Sequence, residues 1–113
     1  MKLTFKKSNH VALLTKDFDS ASEFYSKVLQ LPIQNATKNE IEYRTGDSCF
    51  YVIRDKNLST TVLEFVVDDL ECAKNHLLAN GCEIVKWEGK GKDCYMRDPF
   101  GLVFNIWEEK EIK

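Results

Sequence analysis

The sequence has 113 residues, of which 43% are hydrophobic and 30% charged, a balance typical of one globular domain. Its net charge of −2 argues against a nucleic-acid-binding surface, because neutralising phosphates requires clustered lysines and arginines. No run approaches the ~20 apolar residues of a membrane span, and four cysteines without a CxxC pair favour free thiols in the cytoplasm. We therefore expect a cytoplasmic protein without a nucleic-acid or membrane partner.

The first half begins with a strand at about 4–15, which is followed by a helix. Ser20 and Glu23 have the spacing of a capping box. Apolar residues then recur at helical spacing, from Ala21 to Leu29. Three short strands follow, at about 32–36, 39–45 and 48–54, with a tight turn at Gly46-Asp47.

The second half repeats this order, starting with a strand at about 61–67. Asp69 is a suitable N-cap for the following helix, and Asn80-Gly81 is a suitable C-terminal stop. Strands are then predicted at about 82–88, 92–97 and 102–108. The last two are joined by Asp98-Pro99-Phe100-Gly101, which has the residue preferences of a type I turn.

An internal repeat links the two halves, because residues 10–21 are echoed by residues 62–73. The order βαβββ followed by βαβββ predicts an α+β fold with two modules forming cupped mixed sheets. We expect one domain, 1–113, with module 1 at about 1–56 and module 2 at about 60–113. A small sheet module leaves apolar edges uncovered, which favours a homodimer.

Strand alternation predicts which side chains line the inner face of the sheets. The polar and aromatic residues on that face suit a small-molecule pocket. His10 is interpreted as a structural histidine, a ligand contact, or a metal-binding or catalytic residue, and Glu64 as a ligand contact or the partner of Arg97 or His10. The same alternation places Cys49 and Cys94 on the helix side. The predicted ligand-binding residues are His10, Phe50, Glu64, Tyr95, Asn105 and Trp107.

Several stretches resemble the glyoxalase/bleomycin-resistance/extradiol-dioxygenase superfamily, also called vicinal oxygen chelate. They are Asn9 to Ala12, Phe65 to Asp69, and above all Asp98-Pro99-Phe100-Gly101 leading to Trp107-Glu108. The resemblance implies that each module curls into half of an open barrel, and that two chains form a dimer. It also implies inner-face positions for the ligands of a divalent metal.

We transfer the metal-ligand positions of the family to this sequence residue by residue. Only the histidine of the first strand is retained. The four positions are His10, Phe50, Val62 and Asn105, taking Gly46 as the counterpart of Gly101. Valine and phenylalanine cannot bind a metal, and neutral asparagine is a poor substitute for a carboxylate. We therefore expect no metal and no other cofactor.

The leading interpretation is a metal-free, sequestering small-molecule-binding protein rather than an enzyme. Its cavity would be partly acidic and aromatic-lined, and would favour a cationic, aromatic ligand. One alternative is a metal-dependent lyase, isomerase or thiol transferase, with ligands from His10, Glu64 and one of Glu42 or Asp93. Another alternative is a non-catalytic dimeric module with no ligand.

Overall fold

Two compact units make up the structure, a computed structural model that describes residues 3–110. The first unit is Asn9–Val62, and the second consists of the described residues up to Ser8 and from Leu63 onward. The first two and last three residues of the expected domain span 1–113 lie outside the described residues.

The first unit carries most of strand β1 and strands β2 to β4, in the spatial order β2-β3-β4-β1. Strand β4 pairs with β1 in parallel, whereas β2–β3 and β3–β4 are antiparallel. The elements are β1 (Phe5–Thr15), α1 (Phe18–Glu23) with a π-helical continuation (Phe24–Val28), β2 (Ile33–Ala36), β3 (Glu40–Thr45) and β4 (Ser48–Arg54).

Helix α1 begins earlier than the predicted capping box, so that prediction is wrong. The helix starts at Phe18 after Asp17, whose side chain makes no capping hydrogen bond, and Ser20 lies within the helix. Phe18 is buried and packs in the core with Tyr43 and Val52, so burial of its ring extends the helix toward β1.

The second unit carries most of strand β5 and strands β6 to β8, in the spatial order β5-β8-β7-β6. The pairs β6–β7 and β7–β8 are antiparallel. The elements are β5 (Thr60–Val67), α2 (Leu70–Ala79), β6 (Glu83–Trp87), β7 (Cys94–Arg97) and β8 (Val103–Glu108).

Both predicted ends of helix α2 are confirmed. The Asp69 carboxylate accepts the backbone N–H of Cys72 at 2.9 Å, and Asn80 is the C-cap residue. Gly81 has φ +94°, and a Cβ there would lie 3.0 Å from Cγ of Pro99. Glycine is therefore required both by the backbone conformation and by the close approach of the proline.

The core of the second unit lies between helix α2 and its strands. Its buried members are Val67, Leu70, Ala73, Cys94, Met96, Phe104 and Ile106. Leu3 and Thr4, the first two described residues, also belong here, since Thr4 donates its N–H to Asp68 at 3.1 Å and Leu3 packs against the same core.

The predicted α+β class is confirmed, with two helices and a mixed sheet of parallel and antiparallel pairs. Within residues 3–110, neither helix has the length or apolar character needed to cross a membrane.

Candidate functional site

Each unit has a helix side, where its strands pack on its helix, and a far side, which faces away from that helix. In the first unit Tyr43 and Phe50 are cross-strand partners, and both pack with the residues of α1 and its π-helical continuation. Alternation therefore places Glu42 and its cross-strand partner Tyr51 on the far side. The parallel register adds His10 and Ala12 to that side, opposite Cys49 and Tyr51.

The predicted orientation of strand β4 was wrong. Phe50 lies on the helix side, with its ring centroid 4.9 Å from that of Tyr25, and Cys49 shares the far side with His10. The reason is a difference in loop length between the two units. The β3–β4 loop has two residues, between Thr45 and Ser48. The β7–β8 loop has three, between Asp98 and Leu102, whose backbones are hydrogen-bonded. Taking Gly46 as the counterpart of Gly101 therefore places each residue of β4 one position out of step with its true counterpart on β8. A shift of one residue reverses the side of the sheet on which a side chain is expected to lie.

Tyr51, which the sequence reasoning missed, is consequently the counterpart of Asn105. Its hydroxyl lies 2.8 Å from Nδ1 of His10, and the two rings are stacked with centroids 5.5 Å apart. The signal that would have found it is the two-residue length of the Gly46-Asp47 loop. His10 and Tyr51 thus form a polar aromatic pair on the far side of the first unit.

The predicted orientations in the second unit agree with the structure. Phe104, Ile106 and Met96 pack in the core on the helix side. Tyr95 and Asn105 are cross-strand partners on the far side, and alternation places Trp107 there too. Glu64 lies on the same side, since its carboxylate accepts a hydrogen bond from Asn105.

Asn105 is held by two hydrogen bonds that use both ends of its amide. Its Oδ1 accepts the backbone N–H of Cys94 at 2.9 Å, and its Nδ2 donates to Oε2 of Glu64 at 3.3 Å. Because a backbone N–H only donates, the first contact fixes which end of the amide faces Glu64.

Glu64 has no ion-pair partner in the part of the chain that the structure describes. Arg97, a partner that the sequence suggested, instead lies 3.4 Å from Glu83. His10, the other suggested partner, bonds to Tyr51. The half-buried carboxylate of Glu64 therefore meets one neutral amide rather than a cation.

The two aromatic residues on this side differ in burial. Tyr95 is buried at 4% exposure, with the amine of Lys86 5.7 Å from its ring centroid. Trp107 is half-buried. Tyr95 is therefore mainly a packing residue with a cation nearby, whereas Trp107 offers more ring surface to a ligand.

The positions implied for metal ligands do not fit a metal. His10 is joined by Tyr51 rather than by a carboxylate, Val62 is buried and aliphatic, and the amide of Asn105 is used by the protein itself. Among residues 3–110, no three His, Cys, Asp or Glu side chains are grouped to hold a metal ion.

Three of the cysteines are poorly suited to nucleophilic attack. Burial raises the pKa of the Cys94 and Cys82 thiols. A hydrogen bond to the Asp69 carboxylate raises the pKa of the Cys72 thiol. A raised pKa lowers the fraction of reactive thiolate at neutral pH.

Residues 7–106 match the family model of the Glyoxalase/Bleomycin resistance protein/Dioxygenase superfamily. No curated protein matches the chain in sequence. The match covers nearly all of the strands and helices described above.

Solved structures with the same fold include a member of this superfamily from Vibrio splendidus 12B01, with a TM-score of 0.62 at 13% identity over 93% of this chain and 100% of that one. A Mn(II)-bound glyoxalase from Novosphingobium aromaticivorans has a TM-score of 0.64 at 16% identity, over 99% of this chain and 44% of that one. Homoprotocatechuate 2,3-dioxygenase from Brevibacterium fuscum has a TM-score of 0.60 at 20% identity, over 96% and 38%.

At these identities the likeness shows the fold, and this chain spans less than half of the glyoxalase and of the dioxygenase. The family match over residues 7–106 and the common fold lead to one conclusion: the chain belongs to the glyoxalase/bleomycin resistance protein/dioxygenase superfamily.

Proposed function

We propose that this protein binds a small organic ligand without a metal and without breaking a bond, and so acts by sequestration. The observation that carries the proposal is that both polar ends of the Asn105 side chain are hydrogen-bonded within the protein. A side chain whose two polar atoms already bond to Cys94 and Glu64 is held in place by the protein and is not a vacant metal ligand.

The proposed contact surface is the far side of the second unit, with Glu64 and Trp107 as ligand contacts, Tyr95 as a supporting wall and Asn105 as a positioning residue. His10, together with Tyr51, is proposed as a ligand contact on the far side of the first unit. Phe50 is withdrawn from the predicted set because it packs against Tyr25 on the helix side.

The two tryptophans provide a matched test of this surface. Trp107 lies on the far side, whereas Trp87 packs against the core, with the amine of Lys74 5.0 Å from its ring centroid. The protein should be screened by intrinsic fluorescence against a panel of neutral, cationic and anionic aromatic compounds. A bound compound should quench the emission of Trp87→Phe, and should leave that of Trp107→Phe unchanged.

The affinity of Trp107→Ala should fall by about 1 kcal/mol or more, because it loses a stacking surface. His10→Ala should weaken any compound that binds on the first unit, and should lower the thermal unfolding midpoint because it removes the hydrogen bond and the ring contact with Tyr51. Elemental analysis after dialysis against a chelator is the companion measurement. Stoichiometric retained metal that supports turnover, or a panel in which no compound binds, would contradict the proposal.

We also propose that the protein is a cytoplasmic homodimer. The support for the dimer is a group of apolar side chains on the π-helical segment, at its C-cap and on β2, which is paired with β3 alone among the described strands. They are Phe24, Val28, Leu29 and Ile33, each 45–63% exposed. The support for the cytoplasm is that all four cysteines are free thiols.

Light scattering at tens of micromolar protein tests the dimer. The parent protein should have twice the chain mass, and Val28→Glu should reduce the mass to that of one chain. Leu78→Glu, at an exposed apolar residue on α2, is the matched control and should leave the dimer intact. A parent protein with the mass of one chain would reject this part of the proposal.

A further inference from the structure

The charge state of the far side of the second unit indicates the class of ligand that it accepts. Glu64 is half-buried, and no lysine, arginine or histidine among residues 3–110 forms an ion pair with it. Lys86 on β6 and Arg97 on β7 bind other carboxylates, since Lys86 lies 3.2 Å from Asp93 and Arg97 lies 3.4 Å from Glu83. A carboxylate that is withdrawn from water is ordinarily paired with a cation.

Asn105 holds this carboxylate in place and supplies no charge. Its oxygen is fixed on the N–H of Cys94, so its amide nitrogen must point to Oε2 of Glu64. This contact uses one lone pair of a group that has about four. The negative charge therefore remains available to an incoming donor.

Apolar side chains lie beside Glu64 on the same side of the sheet. Val66, two residues along β5, is 8% exposed, and the half-buried Trp107 is two residues from Asn105 on β8. A fixed carboxylate on the same face as an indole ring, which is two residues along the strand from the amide that holds it, is complementary to an ammonium group carried on an apolar or aromatic frame.

We infer that the ligand of this surface is an organic monocation, with its ammonium group on Glu64 and its apolar frame against Trp107. This inference rests on the proposed function, and it restricts the ligand to organic cations. The surface discriminates against anions, because a carboxylate group of the ligand would be repelled by Glu64.

Three probes that share the indole ring and differ in charge test the inference: tryptamine, which is cationic at neutral pH, neutral tryptophol and anionic indole-3-acetate. Each is titrated by calorimetry into the parent protein, Glu64→Gln and the control Glu71→Gln. Glu71 lies on the surface of α2 and pairs with Lys74, so its replacement makes the same change in net charge away from the site. The amide oxygen introduced by Glu64→Gln can still accept from Asn105, which favours retention of the fold.

The parent should bind tryptamine more tightly than tryptophol, and indole-3-acetate weakest of all. Glu64→Gln should lower the affinity for tryptamine by about tenfold or more, as expected for a lost charged hydrogen bond, with little change for tryptophol. Glu71→Gln should behave as the parent does. Tryptamine, but not tryptophol, should also shift the side-chain amide signals of Asn105 in a ¹H–¹⁵N spectrum.

Equal binding of tryptamine and tryptophol, an unchanged affinity in Glu64→Gln, or no binding of tryptamine at millimolar concentration would each overturn the inference. The proposed function would survive such a result if another compound of the wider panel bound at Trp107. A panel in which nothing binds would reject the proposed function itself.

Discussion

The two units share one order of elements but differ in the chemistry of their far sides. The first unit places a histidine–tyrosine ring pair where β1 and β4 run in parallel. The second unit places a carboxylate and an amide at its corresponding strands. The two units thus share one strand geometry, while the polar side chains on their far sides differ in chemistry.

The helices of the two units differ as well. Helix α2 has ten residues and a side-chain N-cap at Asp69, whereas α1 has six residues, no side-chain cap and a π-helical continuation. The second core contains more fully buried side chains than the first. We therefore expect the second unit to contribute more to stability, and matched substitutions can test this.

The largest effect is expected from Phe104→Ala. Phe104 is 5% exposed in the second core, and its truncation should lower the free energy of unfolding by about 3–5 kcal/mol. Its counterpart Phe50 is half-buried on the helix side of the first unit, so Phe50→Ala should cost less. Urea denaturation of both variants measures the difference, and equal losses would contradict the ranking of the two cores.

A smaller effect is expected from Asn105→Ala. The substitution removes the acceptor of the Cys94 N–H and the donor to Glu64, which should lower the free energy of unfolding by about 1–3 kcal/mol. The matched change on the far side of the first unit is Tyr51→Phe, which removes one hydrogen bond to His10 and should cost about 1 kcal/mol. If Tyr51→Phe lowered the free energy of unfolding as much as Asn105→Ala, the two hydrogen-bonded pairs would contribute equally to stability.

Acid should destabilise the second unit through Glu108. The Lys90 ammonium at 2.8 Å and the Leu70 N–H at 2.9 Å hold the pKa of this carboxyl below its ordinary value of 4.5. The ionised group therefore stabilises the folded state above pH 4.5, and this contribution is lost as the pH falls through the folded pKa.

The free energy of unfolding should accordingly decline below pH 4.5 in the parent, and Glu108→Gln should show a flatter decline. The exposed neighbour Glu109 supplies the control, since Glu109→Gln should keep the slope of the parent. Chemical denaturation at a series of acidic pH values gives the comparison. If the free energy of unfolding declined equally with falling pH in the parent and in Glu108→Gln, Glu108 would not be the cause of the acid destabilisation.

The smallest effect is expected at the N-termini of the two helices. Asp69→Ala removes the acceptor of the Cys72 N–H and should lower the thermal unfolding midpoint. Asp17→Ala should leave the midpoint nearly unchanged, since its carboxylate makes no capping hydrogen bond. Equal shifts in the two variants would mean that α1 is capped in solution.

The sequence by itself determined the α+β class, the Asp69 cap, the Gly81 stop and the sides of β1, β3, β5, β7 and β8. These features depend on local periodicity and on residue types with strong backbone preferences, which a sequence states directly. Only the tertiary structure decided the start of α1 and the neutral partner of Glu64, whereas the side of β4 follows from the two-residue length of its hairpin loop. Both depend on a contact between distant segments: the core that accepts Phe18, and the amide of Asn105, which is 41 positions from Glu64.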